Sequence, residues 1–262
     1  MNVLALAYHD VSPRAAPEAS GFAGPAAARY KLTPEQFVAH LDAIASEGLR
    51  PGTVECRAPE PRLVLTFDDG GRSATTTIAP ELARRGWRAY FFVPTAQIGE
   101  AGFVDADAIR ALHEDGHVVG SHGHSHRPLT ALSEADLEHE LRASRASLEN
   151  ILGAPVDSLA VPGGFYSPRV ALAAATAGYR HVLTSEPWLA PRAEGGATVY
   201  GRFAVVTSTP AHEVAALCRL SPGLLLRRRL GWTIRKSARS ALGSLYARAR
   251  EAELSRRARA RA

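Results

Sequence analysis

Three histidines stand at alternate positions in the stretch GSHGHSHRP, which covers residues 120–128. Neutral imidazole is the commonest metal ligand in proteins. His122 and His126 are four residues apart, so one helical turn would direct both side chains at the same point. In an extended strand, both would share a face with His124. The stretch is therefore a polar turn, a metal site built from all the histidines, or a metal site that leaves one histidine unused.

Two adjacent carboxylates, Asp68 and Asp69, follow the apolar run RLVLTF at residues 62–67. At the end of a buried strand they repel each other and lose hydration, and a divalent cation would stabilise their charge. Because neighbouring side chains diverge, one can bind the metal while the other faces a water molecule whose pKa the metal lowers to roughly 7. The alternative is that the doublet caps a helix that begins near Ser73. Together with the histidines, the doublet favours a metal-dependent hydrolytic site.

The fold must bring these groups together at one place. Four polar clusters each follow a short apolar segment, namely YHD (8–10), TFDDG (66–70), SHGHSH (121–126) and PGGFY (162–166). In α/β barrels the carboxyl ends of the strands form one rim and carry the active site. One such cluster would be only a polar loop, whereas four favour a shared site.

Strand-like and helix-like segments alternate over residues 1–218, which predicts an α/β domain with a mostly parallel sheet. The predicted strands are 3–7, 62–67, 89–93, 117–121, 158–161, 181–185 and 200–206. Capping residues and apolar stripes predict helices from Thr33 to Gly48 and from Ser133 to Gly153. Residues 12–30, rich in Pro, Ala and Gly, are predicted to form a long surface loop.

The net charge of +5 is distributed unevenly. Residues 219–262 hold thirteen Arg or Lys and two Glu, so this tail carries +11 and the preceding residues carry −6. The apolar residues Ile234, Ala238, Leu242 and Leu245 fall at helical spacing, which predicts a basic amphipathic helix. Such a helix is either a solvated terminal helix or one that contacts an anionic membrane surface. Binding of nucleic acid by the same charge is the less favoured alternative.

Other features bound the class of protein. No stretch approaches the roughly 20 apolar residues that span a bilayer. The start, MNVLALAYHD, has no basic region and no cleavage site, which indicates a first strand rather than a signal peptide. We expect a cytoplasmic protein, with peripheral contact at the inner face of the membrane as a further hypothesis. Cys56 and Cys218 are too far apart in the sequence to suggest a disulfide framework or a thiolate zinc site.

Three segments carry a family resemblance. TFDDG, HGHSH (122–126) and AVPGGFY (160–166), in this order, resemble the motifs of the polysaccharide deacetylases of the NodB-homology type, carbohydrate esterase family 4. The resemblance covers about residues 3–206 and leaves the basic tail outside. It implies a distorted (β/α) barrel of about seven strands and metal-dependent removal of N-acetyl groups from amino sugars.

The resemblance also implies roles for individual residues. By position, Asp68 would be the general base. The metal, most often zinc, would be bound by Asp69, His122 and His126. His124 would be the unused histidine, facing solvent or a neighbouring loop.

The sequence departs from the family in its third motif. Val161 precedes Pro162 where the family usually has an arginine that holds the catalytic aspartate. A C-terminal histidine to act as general acid is not evident either. The segment Tyr8-His9-Asp10, near the start of the sequence, resembles a motif of the family branch that acts on exopolysaccharide. In that branch the motifs are circularly shifted, so that the histidine that acts as general acid comes first. There His9 would protonate the departing amine; the alternative is a buried histidine bonded to Asp10 or to the backbone.

The predicted substrate-binding residues follow the third motif and are Pro162, Gly163, Phe165, Tyr166 and Trp188. The aromatic rings would stack on sugars or serve only in packing. The implied substrate is an acetylated amino-sugar polysaccharide or its lipid-linked precursor. The alternatives are a deformylase or deacetylase of a small lipid-linked amino sugar, and a non-catalytic carbohydrate-binding relative. The last would lack a metal ligand or the base, and none is missing from this sequence.

Overall fold

A computed structural model describes residues 2–54 and 62–237. The strands in these ranges are β1 (Val3–Tyr8), β2 (Arg62–Phe67), β3 (Tyr90–Val93), β4 (Val118–Ser121), β5 (Ser158–Ala160), β6 (His181–Leu183), β7 (Arg192–Glu194), β8 (Ala197–Tyr200) and β9 (Phe203–Ala204). They form one sheet in the order β7-β8-β6-β5-β4-β3-β2-β1-β9. Neighbouring strands are parallel except for β7 and β8.

The helices lie between the strands. The α-helices before residue 219 are α1 (Pro25–Ala28), α2 (Pro34–Ser46), α3 (Ala79–Ala83), α4 (Ala106–Glu114), α5 (Glu134–Leu152), α6 (Pro168–Thr176) and α7 (Ala211–Cys218). A π-helical turn, Ala74–Ile78, leads into α3. The predicted α/β class is confirmed, and the sheet is a curved half-barrel that stays open between β7 and β9.

Both faces of the central strands are buried. In β1, Leu4 and Leu6 pack with residues of α2 in the larger apolar cluster. Val3 and Ala5, which alternate with them, pack with Phe92 in a second cluster on the opposite face of the sheet. This arrangement explains why the strands are nearly continuous apolar runs, as buried parallel strands are. Polar groups are consequently collected where the strands end.

The two predicted helices are confirmed, and so are the signals that begin and end them. Thr33 and Gln36 form a reciprocal capping box at the start of α2. The side chain of Ser133 accepts from the backbone N–H of Asp136 at the start of α5, and Gly153, at φ 63°, ends that helix in the left-handed conformation.

The sheet has two more strands than predicted. The predicted strand at 200–206 is divided into β8 and β9 because Gly201 and Arg202 interrupt it. A Cβ at Gly201 would lie 2.5 Å from the Glu186 carbonyl oxygen, so only glycine allows this close approach. β7 pairs with β8 across Gly195 and Gly196, both at positive φ, in a hairpin that the sequence analysis missed.

The described part of the basic tail is a helix over residues 222–237, which we call the C-terminal helix. Ala238, Leu242 and Leu245 of the predicted amphipathic pattern lie outside the described residues, as does Cys56. The domain boundary at residue 218 stays a prediction. Among the residues that the structure describes, no helix has the length and apolar character needed to cross a bilayer.

Candidate active site

The carboxylate doublet lies at the carboxyl end of β2. Asp69 has φ 75°, a conformation that non-glycine residues rarely adopt, and Gly70 follows at φ 62°. This sharp turn makes the two side chains diverge, as the sequence analysis expected. Both carboxylates are nevertheless buried, at 4% and 9% exposure, so each needs a compensating partner.

Asp69 faces two histidines. Its Oδ1 lies 3.4 Å from His122 Nε2 and 3.2 Å from His126 Nε2. Burial opposes ionisation of Asp69, but the hydrogen bonds from the two imidazoles outweigh it and hold the pKa of this carboxyl well below its usual range. The three potential ligand atoms lie within 4.8 Å of one another.

This donor set fits a divalent cation. Two imidazoles and a carboxylate are ligands that zinc prefers, and they leave coordination positions open. His122 Nδ1 is 2.8 Å from the Ala160 carbonyl oxygen, which can only accept, so Nδ1 is the donor there and Nε2 is the nitrogen directed at Asp69. A metal-binding histidine usually donates its other N–H to such a carbonyl or to a carboxylate.

The histidine loop follows neither of the two geometries considered from sequence. Residues 122–128 are neither helical nor extended, and His126 reaches Asp69 through a positive φ of 61°. His124 points elsewhere: its Nδ1 is 2.9 Å from the hydroxyl of Thr95. The ring of Phe22 stacks on His126 with centroids 4.5 Å apart, so the 12–30 segment partly covers the site and is not merely a surface loop.

A buried glutamate on α5 organises this loop. One oxygen of Glu140 accepts from the backbone N–H groups of His124 and Ser125, each at 2.8 Å. The other accepts from the hydroxyl of Ser125. Glu140 was not among the predicted site residues, although its place between Leu137 and Leu141, on the apolar stripe of a helix, indicates a buried carboxylate.

Asp68 is paired with a buried arginine. Arg202 Nη1 and Nη2 donate to the two oxygens of Asp68 at 2.7 and 2.8 Å. Arg202 Nε donates to the Thr184 carbonyl oxygen at 2.9 Å, and Nη1 also donates to the Thr66 hydroxyl. Burial opposes the charge on Asp68, but the guanidinium of Arg202 outweighs it and lowers the pKa of the carboxyl.

His9 directly follows β1 and lies near Asp68 and Asp69. It lines a small pocket with Asp10, Asp68 and Gly70, and its ring centroid is 4.4 Å from that of Tyr30. No hydrogen bond joins His9 to Asp10 among the described residues: Asp10 Oδ1 accepts from the hydroxyls of Ser20 and Ser73, and Asp10 Oδ2 has no partner. In the described chain, His9 Nδ1 is buried without a hydrogen-bond partner.

Comparison with known proteins identifies part of the chain. Residues 56–182 match the family model for polysaccharide deacetylase. This segment belongs to the polysaccharide deacetylase family. The family predicted from the motifs is thereby confirmed, and the deacetylase segment contains Asp68, Asp69, His122 and His126.

Relatives and solved structures agree with that assignment. A chitin deacetylase of Colletotrichum lindemuthianum is 39% identical over 106 residues, which are 39% of this chain and 42% of that protein. The structure of IcaB from Ammonifex degensii has a TM-score of 0.68 at 25% identity, covering 83% of this chain and 97% of that one. The structure of the polysaccharide deacetylase BC0361 from Bacillus cereus has a TM-score of 0.71 at 20% identity, covering 83% of this chain and 69% of that one. The chain spans less than two thirds of the length of the first curated relatives it matches.

Two groups beside the candidate site come from outside the matched segment. His9 precedes it, and Arg202 follows it, between β8 and β9. Arg202 pairs with Asp68. The third motif of this sequence has Val161 in place of the arginine that was expected to do so. Arg202 was not among the predicted site residues, because a single arginine within a predicted strand does not indicate which residue it pairs with.

The third motif, residues 160–166, lies at the carboxyl end of β5, next to the loop that holds the histidines after β4. Pro162 is buried in a short turn after β5, and Gly163 has φ 63°. Phe165 and Tyr166 line a cavity of about 340 Å³. Trp188 does not line it; its ring packs on the core and under the guanidinium of Arg192 at 4.1 Å.

Proposed function

We propose that this chain is a metal-dependent hydrolase that removes N-acetyl groups from amino-sugar residues of a polysaccharide or its lipid-linked precursor. The observation that carries the proposal is the placement of an arginine-held carboxylate, Asp68, directly beside the cluster of Asp69, His122 and His126. In this arrangement one carboxylate is available to accept a proton, while the other three side chains are available to bind a metal.

The metal would be held by Asp69, His122 and His126, and zinc is the first choice for this donor set. When bound, it would polarise the amide carbonyl and make a water molecule more acidic. Asp68 is ionised at neutral pH, and its oxygens retain lone pairs after accepting from Arg202. It therefore accepts the proton of the attacking water as general base.

The second proton transfer is assigned to His9. Cleavage of the amide C–N bond leaves an amine that must gain a proton, and His9 lies on the side of Asp68 formed by the end of β1. General acid catalysis of this kind contributes about 10²–10⁴-fold in rate. Water supplies the hydroxyl of the released acetate, so the products are acetate and the free amino sugar.

Contact with an anionic membrane surface is the second part of the proposal. Leu226, Leu230 and Ile234 are 57%, 54% and 68% exposed and repeat every four residues along the C-terminal helix. They therefore form one apolar stripe, which we call the outer stripe, and residues 219–262, to which this helix belongs, have a net charge of +11. Apolar residues beside basic ones suit the interface of an anionic bilayer. The expected location at the inner face of the membrane stays a prediction.

The decisive experiment measures acyl release by the purified full chain. N-acetylglucosamine oligomers and an N-formylated amino sugar are incubated with metal-loaded protein, with chelator-treated protein, and with the variants Asp68→Asn and Asp107→Asn. Acetate release that needs metal and is lost in Asp68→Asn is expected. Asp107, exposed in a surface pair with Arg110, is the matched control.

Metal content separates the possible causes of lost activity. Because Asp68 is not one of the three clustered ligands, Asp68→Asn should keep its metal. If metal-loaded wild-type protein releases acetate from no acetylated saccharide, the deacetylase proposal is wrong. Release of formate without acetate would show that the enzyme removes formyl groups, as in the alternative deformylase function.

A further inference from the structure

A cavity of about 340 Å³ lies between the rim of the sheet and the C-terminal helix. One wall comes from Phe165 and Tyr166 of the third motif, and Glu186 after β6 adds a carboxylate. The other wall comes from Trp232, Arg235 and Lys236 of the C-terminal helix. This helix lies outside the deacetylase segment, so the cavity depends on a part of the chain that the family match does not include.

Polar contacts fix the helix in this position. Arg228 donates to the Ala204 carbonyl oxygen at 3.2 Å and pairs with Glu213 at 2.7 Å. Arg229 donates to the Pro187 carbonyl oxygen at 3.2 Å. Lys236 Nζ lies 2.5 Å from Glu186, across the cavity mouth. The helix is therefore anchored to the loops that follow β6 and β9 rather than projecting from the domain.

The two loops that form the sheet-side wall of the cavity also contact residues of the active site. The third motif follows β5, where the Ala160 carbonyl oxygen contacts His122. Glu186 follows Thr184, whose carbonyl oxygen accepts from Arg202, and the Glu186 carbonyl oxygen accepts from the Arg202 backbone N–H. The cavity is thus next to the residues that hold Asp68 and the metal ligands.

The lining combines the faces of aromatic rings with positively charged side chains. Three aromatic rings offer apolar faces to sugar C–H groups, as Phe165, Tyr166 and Trp232 do here. Trp232 Nε1 is buried away from solvent and has no acceptor among the residues described, so Trp232 offers the cavity its ring and not this N–H group. Within that same part of the chain, Arg235 makes no hydrogen bond or ion pair, while Lys236 is paired with Glu186. Among the described residues, Arg235 is therefore a cation of the lining without a partner, and a guanidinium suits an anionic oxygen.

We infer that this cavity is a second saccharide subsite, completed by the C-terminal helix, for a sugar residue that bears an anionic group. The inference rests on the proposed deacetylase function and narrows its substrate. The sugar ring packs on the aromatic wall that includes Trp232, and its phosphate or carboxylate accepts from Arg235. The N-acetyl sugar next to it then lies at Asp68.

The activity test compares three tetramers of N-acetylglucosamine: neutral, with a reducing-end phosphate, and with a reducing-end carboxylate. Wild-type protein is expected to have a kcat/KM about tenfold higher on at least one anionic tetramer than on the neutral one. The preferred tetramer shows whether the subsite takes a phosphate or a carboxylate. Arg235→Gln should reduce this preference ratio about tenfold, mainly through KM. Arg227→Gln, on the same helix but paired with Glu213, should keep the ratio.

Binding is measured separately from catalysis. Tryptophan fluorescence of the full chain is titrated with the phosphorylated and carboxylated tetramers, and Trp232→Phe is compared with Trp87→Phe, whose ring is buried away from this cavity. The titration signal should vanish only in Trp232→Phe. Equal kcat/KM on neutral and anionic tetramers, or a signal that persists in Trp232→Phe, would overturn the subsite. Absence of acetate release from all tetramers, with binding intact, would count against the proposed function instead.

Discussion

Arg202 and Asp68 form a bidentate, fully buried ion pair between residues 134 positions apart. The guanidinium also lies over the ring of Phe92, with the Cζ atom 5.7 Å from the ring centroid. A planar fork can hold both carboxylate oxygens and still leave their outer lone pairs free. Arg202 is thus a positioning residue: it keeps Asp68 charged and fixes the direction in which it can accept a proton.

Replacement of Arg202 should separate these two effects. Arg202→Met leaves a buried carboxylate unpaired, so the free energy of unfolding in urea should fall by about 3–5 kcal/mol. Arg202→Lys keeps the charge but loses the fork, and kcat should fall about tenfold with a smaller loss of stability. Arg180→Lys is the control, because Arg180 forms an exposed pair with Asp157. Wild-type stability in Arg202→Met would contradict the role assigned to the pair.

The sequence predicted those parts of the site that are local. Asp68, Asp69, His122 and His126 could be identified because each follows the apolar run of a strand, and parallel strands bring their carboxyl ends to one edge. Arg202 could not be identified in this way. It meets Asp68 because β9 lies beside β1 in the sheet, and a short motif does not indicate the order of strands in a sheet. Phe22 was missed for a related reason: nothing in a Pro- and Ala-rich loop indicates that its aromatic residue folds back over His126.

The histidine loop gives a sharper prediction about metal binding. His122→Ala and His126→Ala should each lose bound zinc, because each removes a nitrogen close to Asp69. His124→Ala should retain it, because His124 contacts Thr95 instead. Metal content after dialysis, measured by elemental analysis, distinguishes the three variants. Loss of zinc in His124→Ala, with retention in either of the others, would show that the ligand set is wrong.

The role of His9 as general acid can be tested through the leaving group. His9→Gln should lower kcat about 10²–10⁴-fold on an N-acetylglucosamine oligomer, whose basic amine must be protonated as it leaves. The loss should be much smaller on 4-nitroacetanilide, whose amine departs more readily. His113→Gln, an exposed histidine on α4, is the control. Equal losses on the two substrates would argue that His9 acts in another way.

The outer stripe predicts a membrane contact that depends on apolar residues as well as charge. The full chain should float with vesicles of phosphatidylglycerol and much less with vesicles of phosphatidylcholine. Replacement of Leu226, Leu230 and Ile234 by Ser should abolish flotation, because each buried side chain contributes about 1.5–3 kcal/mol. Leu172→Ser removes a leucine of similar exposure from α6 and should change nothing. Flotation that survives the triple substitution would remove the stripe from the proposal.

His40 predicts part of the dependence of stability on pH. It is buried beneath β1, its Nε2 is 2.9 Å from the Thr209 carbonyl oxygen, and burial lowers its pKa below the ordinary value. The unfolded chain therefore takes up this proton first as pH falls through about 6.5, so stability is full above that pH and declines below it. The decline from this one group cannot exceed about 1.4 kcal/mol per pH unit.

Replacement of the buried histidine should flatten that decline. Gln can keep a donor for the Thr209 carbonyl without titrating, so urea unfolding of His40→Gln between pH 7 and about pH 5 should fall less steeply than that of the wild type. His113→Gln, an exposed change, should leave the wild-type slope intact. Parallel curves for His40→Gln and wild-type protein would mean that His40 takes up its proton equally in the folded and unfolded states.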